Sequence, residues 1–295
     1  MIAPNIRAAV ASVTVATILI GLKVWAVWDT GSVAMLGSLA DTVLDLIASV
    51  VTLYSVHLAS TPADRQHRFG HGKAEAISAL FQVILISLSA FGIGARAIGQ
   101  WVDGATTKAA ESGIAVSIVA LALTLALVAY QRRIIAQTGS IAIQTDKIHY
   151  QSDLLLNAAV IAALLLDFTF GFHGADALFG IGIAAFLLYG AFQASGDALD
   201  QLMDKEWPEQ RRRKFLAVAN AHPELEGIHD LRTRTSGDRD FVQFHVWVDP
   251  AMTVGEAHRV MDEVEDKLRD AFPGVEILIH PDPTGHIDHG PELQP

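Results

Sequence analysis

The chain of 295 residues contains no cysteine and few charged residues. Without cysteine it can form neither disulfides nor thiolate metal sites, and it has no cysteine nucleophile. Charged residues make up 18% of the chain, against about 25% in an ordinary soluble domain. The net charge of -11 and the lack of a basic stripe argue against nucleic acid as a partner. The low charge content indicates a membrane protein.

Hydrophobic residues make up 51% of the chain and are concentrated in six long runs. Each run approaches the roughly 20 residues that an α-helix needs to cross ~30 Å of hydrocarbon. The sequence therefore predicts an α-helical membrane protein whose residues 1–203 form a domain of six transmembrane helices. The predicted spans are 8–28, 33–58, 77–101, 113–135, 148–170 and 175–199.

Basic residues lie mainly in the even-numbered connections between these runs. Arg65 and Arg68 follow the second run, and Arg132 and Arg133 follow the fourth. The opposite side offers mainly Lys108. The chain is therefore expected to be a multi-pass protein of the plasma (inner) membrane. By the positive-inside rule, both of its termini are expected on the cytoplasmic side.

A soluble α+β domain is predicted at residues 204–283, where the apolar runs stop. Its elements follow the order αββαβ, with strands recognised by alternating apolar residues. Pro281, Asp282 and Pro283 then predict a turn. Residues 284–295 are rich in Pro, Gly and His and are expected to form a disordered tail. The predicted helices are 207–221 and 254–272, and the predicted strands are 228–235, 241–249 and 275–280.

Two pairs of ionisable residues lie inside the predicted spans. Asp41 and Asp45 share one face of the second span, and His149 and Asp153 share one face of the fifth, because residues four apart lie above one another on a helix. A central Asp costs about 2.5–3.5 kcal/mol to insert into a membrane, so the carboxylates need a compensating cation. The alternative is that Asp41 and Asp45 line a wet cavity or cap helix ends.

The four side chains together offer three carboxylates and one imidazole. This donor set suits a divalent first-row ion such as Zn²⁺, whereas Na⁺ or K⁺ would not need a histidine. Protons compete with the metal for the same groups, so metal release can be coupled to proton uptake.

Two further groups of residues outside the spans have metal-ligating side chains. Asp64, His67 and His71 lie within one short loop, where the alternative is an ordinary solvated polar loop. The second group is spread over the C-terminal strands and helix, where each histidine alone would be a surface residue. It consists of His229, His245, His258, His280 and Asp282.

These motifs resemble the cation diffusion facilitator family of metal/proton antiporters over nearly the whole chain. The family's transport site falls on Asp41, Asp45, His149 and Asp153, and its loop site on Asp64, His67 and His71, beside a matching stretch at Phe69–Glu75. Its binuclear cytosolic site falls on His229, His245, His258, His280 and Asp282, with the Asp bridging two ions.

The resemblance also implies an assembly and a mechanism. It implies a homodimer with a ferredoxin-like cytosolic domain that lacks a first strand, and a charge interlock between Lys73 and Asp204. Alternating access would export Zn²⁺, or Fe²⁺ or Cd²⁺, against protons. Metal in the cytosolic sites would tighten the dimer.

Four other function classes are alternatives to a metal/proton antiporter. A membrane metalloprotease would need His-Glu-x-x-His or a similar motif, which is absent, so an enzyme is not expected. A metal sensor anchored in the membrane needs one span rather than six. A passive channel would differ in not requiring a pH gradient. Primary pumping is not expected, because Gly72-Lys73 lacks the first glycine of a phosphate-binding loop.

Overall fold

The structure is a computed structural model that describes residues 3–30, 33–103, 114–170, 174–225 and 227–285. The chain divides into two compact units, one ending at Leu199 and one beginning at Asp200. Lys108, most of the connections at 103–111 and 171–174, and residues 286–295 of the predicted tail lie outside the described residues.

Six long helices of the first unit coincide with the six apolar runs. Five of them, within the described residues, have the length and hydropathy to cross a membrane, which confirms a multi-pass membrane protein. The exception is α5, whose first half is polar, so its crossing stays a prediction. The bounds are α1 Pro4–Thr30, α2 Val33–Ala59, α3 Ala74–Asp103, α4 Ile114–Thr138, α5 Ile141–Phe170 and α6 Ala175–Leu202.

Small residues bring α3 and α6 close together. A Cβ atom added at Gly180 of α6 would lie 2.8 Å from the Cβ of Ala97 on α3. Ala184 lies 3.5 Å from the position that a Cβ would take on Gly94. Because Ala97 has no flexible side chain to move aside, Gly180 is required for this approach of the two helices.

The second unit has the predicted αββαβ order, which confirms the α+β fold. Its sheet has the order β1-β2-β3, with β1 antiparallel and β3 parallel to β2. A capping box between Thr253 and Glu256 starts the second helix of the unit. The elements are α7 Glu209–Ala219, β1 Gly227–Ser236, β2 Arg239–Val248, α8 Val254–Ala271 and β3 Val275–Pro283.

The two faces of β2 differ in burial. Val242, Phe244 and Val246 are at most 1% exposed and pack with Phe215 of α7 and Leu268 of α8. Successive side chains of a strand point to opposite faces, so residues 243, 245 and 247 lie on the face away from this core. The helices therefore leave one face of the sheet available for a site.

The predicted turn at 281–283 is wrong. Pro281, Asp282 and Pro283 continue β3 and pair with Val246, Trp247 and Val248 of β2. Proline lacks an amide hydrogen and is confined to edge strands, and β3 is an edge of this sheet. Asp282 is therefore held in a strand rather than in a turn.

Gly180→Ala is expected to lower the free energy of unfolding by about 1–3 kcal/mol, because the added methyl group overlaps Ala97. Thermal and denaturant unfolding in detergent would measure the loss. The matched control is Gly21→Ala on α1, where an added Cβ meets nothing within 4 Å. That variant should be as stable as the parent or slightly more stable, and an equal loss in both variants would contradict the close approach.

Candidate functional site

Three ionisable side chains of α2 and α5 come together inside the first unit. The Nε2 atom of His149 lies 2.7 Å from Oδ1 of Asp45, and Asp153 completes a group whose ligand atoms lie within 4.8 Å of one another. His149 is 8% exposed. The i, i+4 spacing places His149 and Asp153 on one face of α5, which meets Asp45 on α2. We call this group the intramembrane cluster.

Asp41 lies outside the intramembrane cluster. It is exposed, whereas Asp45, one turn further along α2, is partly buried against α5. His149 pairs directly with Asp45, which directs the imidazole to this turn of α2. The structure thus brings together three of the four residues of the predicted transport site, and the ligand role of Asp41 stays a prediction.

Asp146 lies one turn before His149 on α5 and is completely buried. Ser12 Oγ and Gln131 Nε2 each lie 2.7 Å from its Oδ2 atom. Gln82 Nε2 and Ser49 Oγ approach its Oδ1 atom at 3.3 and 3.5 Å. These neutral donors come from α1, α4, α3 and α2, so a single carboxyl group joins α5 to four other helices.

Asp146 is absent from the predicted site because the apolar run of the fifth span begins at residue 148. The helix itself begins at Ile141, seven residues earlier. The one signal in the sequence is that Asp146 precedes His149 by three residues and so lies near it on the same helix face. Its four partners are distant in the chain, and no local pattern indicates them.

Asp64, His67 and His71 come together in the loop between α2 and α3. The Oδ1 atom of Asp64 accepts hydrogen bonds from the backbone N–H groups of His67 and Gln66, at 2.6 and 2.7 Å. These bonds, first that from His67, hold the pKa of Asp64 below its usual value. His71 Nε2 lies 3.6 Å from Oδ2 of Asp64, and Thr61 lies 3.0 Å from Nδ1 of His71. We call Asp64, His67 and His71 the loop cluster.

Strand register places three histidines in one row across the sheet. His245 of β2 is paired with His229 of β1 on one side and with His280 of β3 on the other. Asp282, two residues after His280, shares its face of β3. Only 4% of Asp282 is exposed.

The carboxylate of Asp282 reaches all three imidazoles. Its Oδ2 atom lies 2.8 Å from His245 Nδ1 and 3.2 Å from His229 Nε2. Its Oδ1 atom lies 3.2 Å from His280 Nε2. Both carboxylate oxygens of Asp282 therefore face imidazole nitrogens, and the bridging of two metal ions by Asp282 stays a prediction. We call His229, His245, His280 and Asp282 the sheet cluster.

Two residues beside the sheet cluster were not predicted. The ring of Trp247 stacks on that of His229, with centroids 4.2 Å apart and planes 14° apart. Asp230 has a positive φ of 46° at an irregularity of β1, and its carboxylate lies 3.9 Å from Nε2 of His245. Aspartate is among the few residues that tolerate this conformation. Only the strand pairing brings these side chains to the cluster.

His258 lies apart from the sheet cluster. It is exposed on α8, and its Nδ1 atom lies 3.5 Å from Asp262, one turn further on. Its role as a ligand stays a prediction. So does the interlock between Lys73 and Asp204, whose two residues belong to different units.

Two family models together match almost the whole chain. One, described as the cation efflux transmembrane domain, matches residues 9–203. The other, described as the cytoplasmic domain of cation efflux proteins, matches residues 207–284.

The chain is also similar to individual transporters. The cation-efflux pump FieF of Pectobacterium atrosepticum is 42% identical over 280 residues, which cover 95% of this chain and 93% of that protein. FieF of Yersinia enterocolitica is 42% identical over 283 residues, with 96% and 94% covered. A structure of the transporter CzrB in its zinc form is 36% identical, covers 29% of this chain and 98% of its own, and has a TM-score of 0.28. The metal-bound C-terminal domain of the CzcD transporter from Thermotoga maritima is 21% identical, covers 28% and 100%, and has a TM-score of 0.26.

Asp146→Ala is expected to lower the free energy of unfolding by at least about 3 kcal/mol, because several buried donors lose their acceptor. Asp146→Asn should lose less. The Oε1 atoms of Gln82 and Gln131 have no partner, so either amide can turn and accept a bond from the new side chain. Denaturant unfolding in detergent would compare the two variants. Equal losses would show that Asn cannot replace the carboxyl group, and unchanged stability in both variants would show that the hydrogen-bond network around Asp146 does not stabilise the fold.

Asp282→Asn is expected to weaken Zn²⁺ binding at the sheet cluster at least tenfold, because the amide lacks the charge that faces three imidazoles. Calorimetry on the full chain would measure this. The matched control is Asp270→Asn, an exposed position on α8 outside the three clusters. Unchanged affinity and stoichiometry in Asp282→Asn would rule out Asp282 as a ligand.

Proposed function

Since the chain belongs to the cation diffusion facilitator family of cation-efflux transporters, we propose that it exports Zn²⁺ in exchange for protons. The intramembrane cluster is the observation that carries this proposal. Asp45, His149 and Asp153 place two carboxylates and an imidazole within reach of one ion. Placing such a group of ionisable side chains in hydrocarbon costs free energy unless a cation compensates their negative charge. A transporter of divalent cations supplies that cation as its substrate.

The donor set favours Zn²⁺ among the candidate metals. Zn²⁺ is commonly bound by imidazole nitrogen together with carboxylate oxygen in four-coordinate sites. Three of the donors are in place, and Asp41, one turn away on the same face of α2, would supply the fourth. Fe²⁺ and Cd²⁺ are further substrates that the same donors accept, since geometry and availability rather than raw affinity decide between such ions.

Proton exchange follows from the chemistry of the same side chains. Metal binds the neutral imidazole and the ionised carboxylates, so binding requires that protons leave them. The hydrogen bond between His149 and Asp45 must also open before both can ligate one ion. A site that alternately faces the two sides of the membrane would therefore carry metal in one direction and protons in the other.

The C-terminal unit would act as a dimerisation domain whose metal ions stabilise the dimer. The sheet cluster supports this, because its four ligand side chains lie together on the face of the sheet opposite the helices. Metal in the sheet cluster and the loop cluster would then bias the transport equilibrium. This is allostery if the affinity of these ions differs between the two transport states.

The expected location is the inner membrane, with both termini in the cytoplasm. Arg65 and Arg68 follow α2, and Arg132 and Arg133 lie near the end of α4. Because successive spans cross a membrane in opposite directions, the ends of α2 and α4 face the same side, which the positive-inside rule assigns to the cytoplasm. Export from the cytoplasm would then load metal on the side where the C-terminal unit lies.

Zn²⁺ uptake into proteoliposomes tests the proposal. The purified protein is reconstituted with a Zn²⁺-sensitive dye inside, with and without an imposed pH gradient. Asp45→Ala should abolish uptake, because it removes one ligand of a three-residue cluster. Asp197→Ala is the matched control, since Asp197 is exposed on α6 and accepts a hydrogen bond from Nε2 of Gln144, at 3.3 Å, outside the intramembrane cluster.

Each result of the uptake experiment supports a different function class. Uptake that follows the gradient and is lost in Asp45→Ala alone supports exchange of metal for protons at the intramembrane cluster. Metal flux that ignores the gradient would indicate a passive channel. No flux of Zn²⁺, Fe²⁺, Cd²⁺ or Mn²⁺ would contradict transport by this cluster.

A further inference from the structure

Lys23 places an ammonium group inside the helical bundle. It belongs to α1, is half-buried, and lies seven residues before the end of that helix. Its Nζ atom donates hydrogen bonds to the backbone oxygen of Ser38, at 3.1 Å, and to Oγ1 of Thr42, at 2.5 Å. Both acceptors belong to α2. A basic side chain is thus tied across two helices within the membrane domain.

The ammonium group lies beside the acidic residues of α2. Thr42 precedes Asp45 by three residues, and Ser38 precedes Asp41 by three, so acceptors and carboxylates are neighbours on the helix surface. The charge of Lys23 interacts with those of Asp45, Asp153 and Asp41. These are the three carboxylates of the predicted transport site.

The hydrogen bonds from Lys23 are not needed to give the polar groups of Ser38 and Thr42 on α2 a partner. Thr42 Oγ1 already donates to the backbone oxygen of Ser38, at 3.1 Å, as hydroxyl groups commonly do within helices. A purely structural brace between α1 and α2 would not require a positive charge at this place.

We propose that Lys23 is a resident counter-charge of the transport site and a determinant of its affinity for metal. In the metal-free state its ammonium offsets the mutual repulsion of the carboxylates. When a divalent cation enters, the same ammonium repels it and favours its release. This role rests on the proposed function, because it acts on the metal bound by the intramembrane cluster.

The sign of the effect distinguishes this role from a structural one. Two charges a few ångströms apart in a protein interact strongly enough to change an equilibrium constant by about tenfold or more, and a divalent ion doubles the interaction. Removing the positive charge should therefore tighten Zn²⁺ binding at least about tenfold. Loss of a brace would leave affinity unchanged or weaken it.

The test is Zn²⁺ calorimetry on the full chain in detergent at pH 8. The heat that disappears in Asp45→Ala defines binding at the transport site. Two neutral variants are compared in that component: Lys23→Met, and Lys23→Gln, which can still donate to Ser38. Lys23→Arg keeps a positive charge at this position. Thr42→Val keeps the charge of Lys23 but removes one of the two acceptors of its hydrogen bonds. Arg96→Met, at an exposed position of α3, is the matched control for removing a basic residue.

We expect tighter binding in Lys23→Met and Lys23→Gln, and affinities within about threefold of the parent in the other three variants. Unchanged or weaker binding in both neutral variants would overturn the role of Lys23. If Lys23→Met does not fold, Lys23→Gln decides. If Asp45→Ala removes no heat of Zn²⁺ binding, the assignment of the transport site is contradicted. That result is distinct from an Asp45-dependent heat whose affinity is the same in the parent and in the neutral Lys23 variants.

Discussion

Carboxyl groups that are removed from water need partners inside the protein, and this requirement organises the membrane domain. Asp146 takes neutral donors from four helices, and Asp45 takes the imidazole of His149. Glu75, at the start of α3, is 2% exposed and accepts from Asn5 and Ser140, at 3.1 and 2.5 Å. Each acidic residue therefore joins helices that are far apart in the chain, and the bundle is held by polar contacts as well as by apolar packing.

Much of this architecture could be predicted from local patterns. Hydropathy located the long helices, alternation located the strands, and the i, i+4 spacing placed His149 with Asp153. The features that local patterns did not predict depend on contacts between segments that are distant in the chain. The partners of Asp146, the strand conformation of Asp282 and the stacking of Trp247 on His229 follow from helix packing and strand pairing, which no short stretch of sequence contains. Asp41 has the same spacing as the clustered residues, and only the packing of α2 against α5 separates it from them.

The two units build their ligand sets by different means. In the intramembrane cluster, helix periodicity supplies the spacing and the packing of α2 against α5 supplies the meeting point. In the sheet cluster, the register of three strands aligns His229, His245 and His280, and the side-chain alternation of β3 adds Asp282. The loop cluster needs neither, since the backbone N–H groups of its own turn orient Asp64. Rigid elements thus fix the ligands in two clusters, and a short loop fixes them in the third.

The prolines of β3 limit how the C-terminal unit can associate with other chains. Pro281 and Pro283 are two residues apart, so their nitrogen atoms face the same side of the strand, away from β2. That side offers no amide hydrogens to an incoming strand at these positions. The end of β3 therefore cannot template the addition of a further strand, which protects an otherwise open sheet edge from aggregation. A pairing of two copies of this unit through the end of β3 must therefore use side chains instead of a continuous intermolecular sheet.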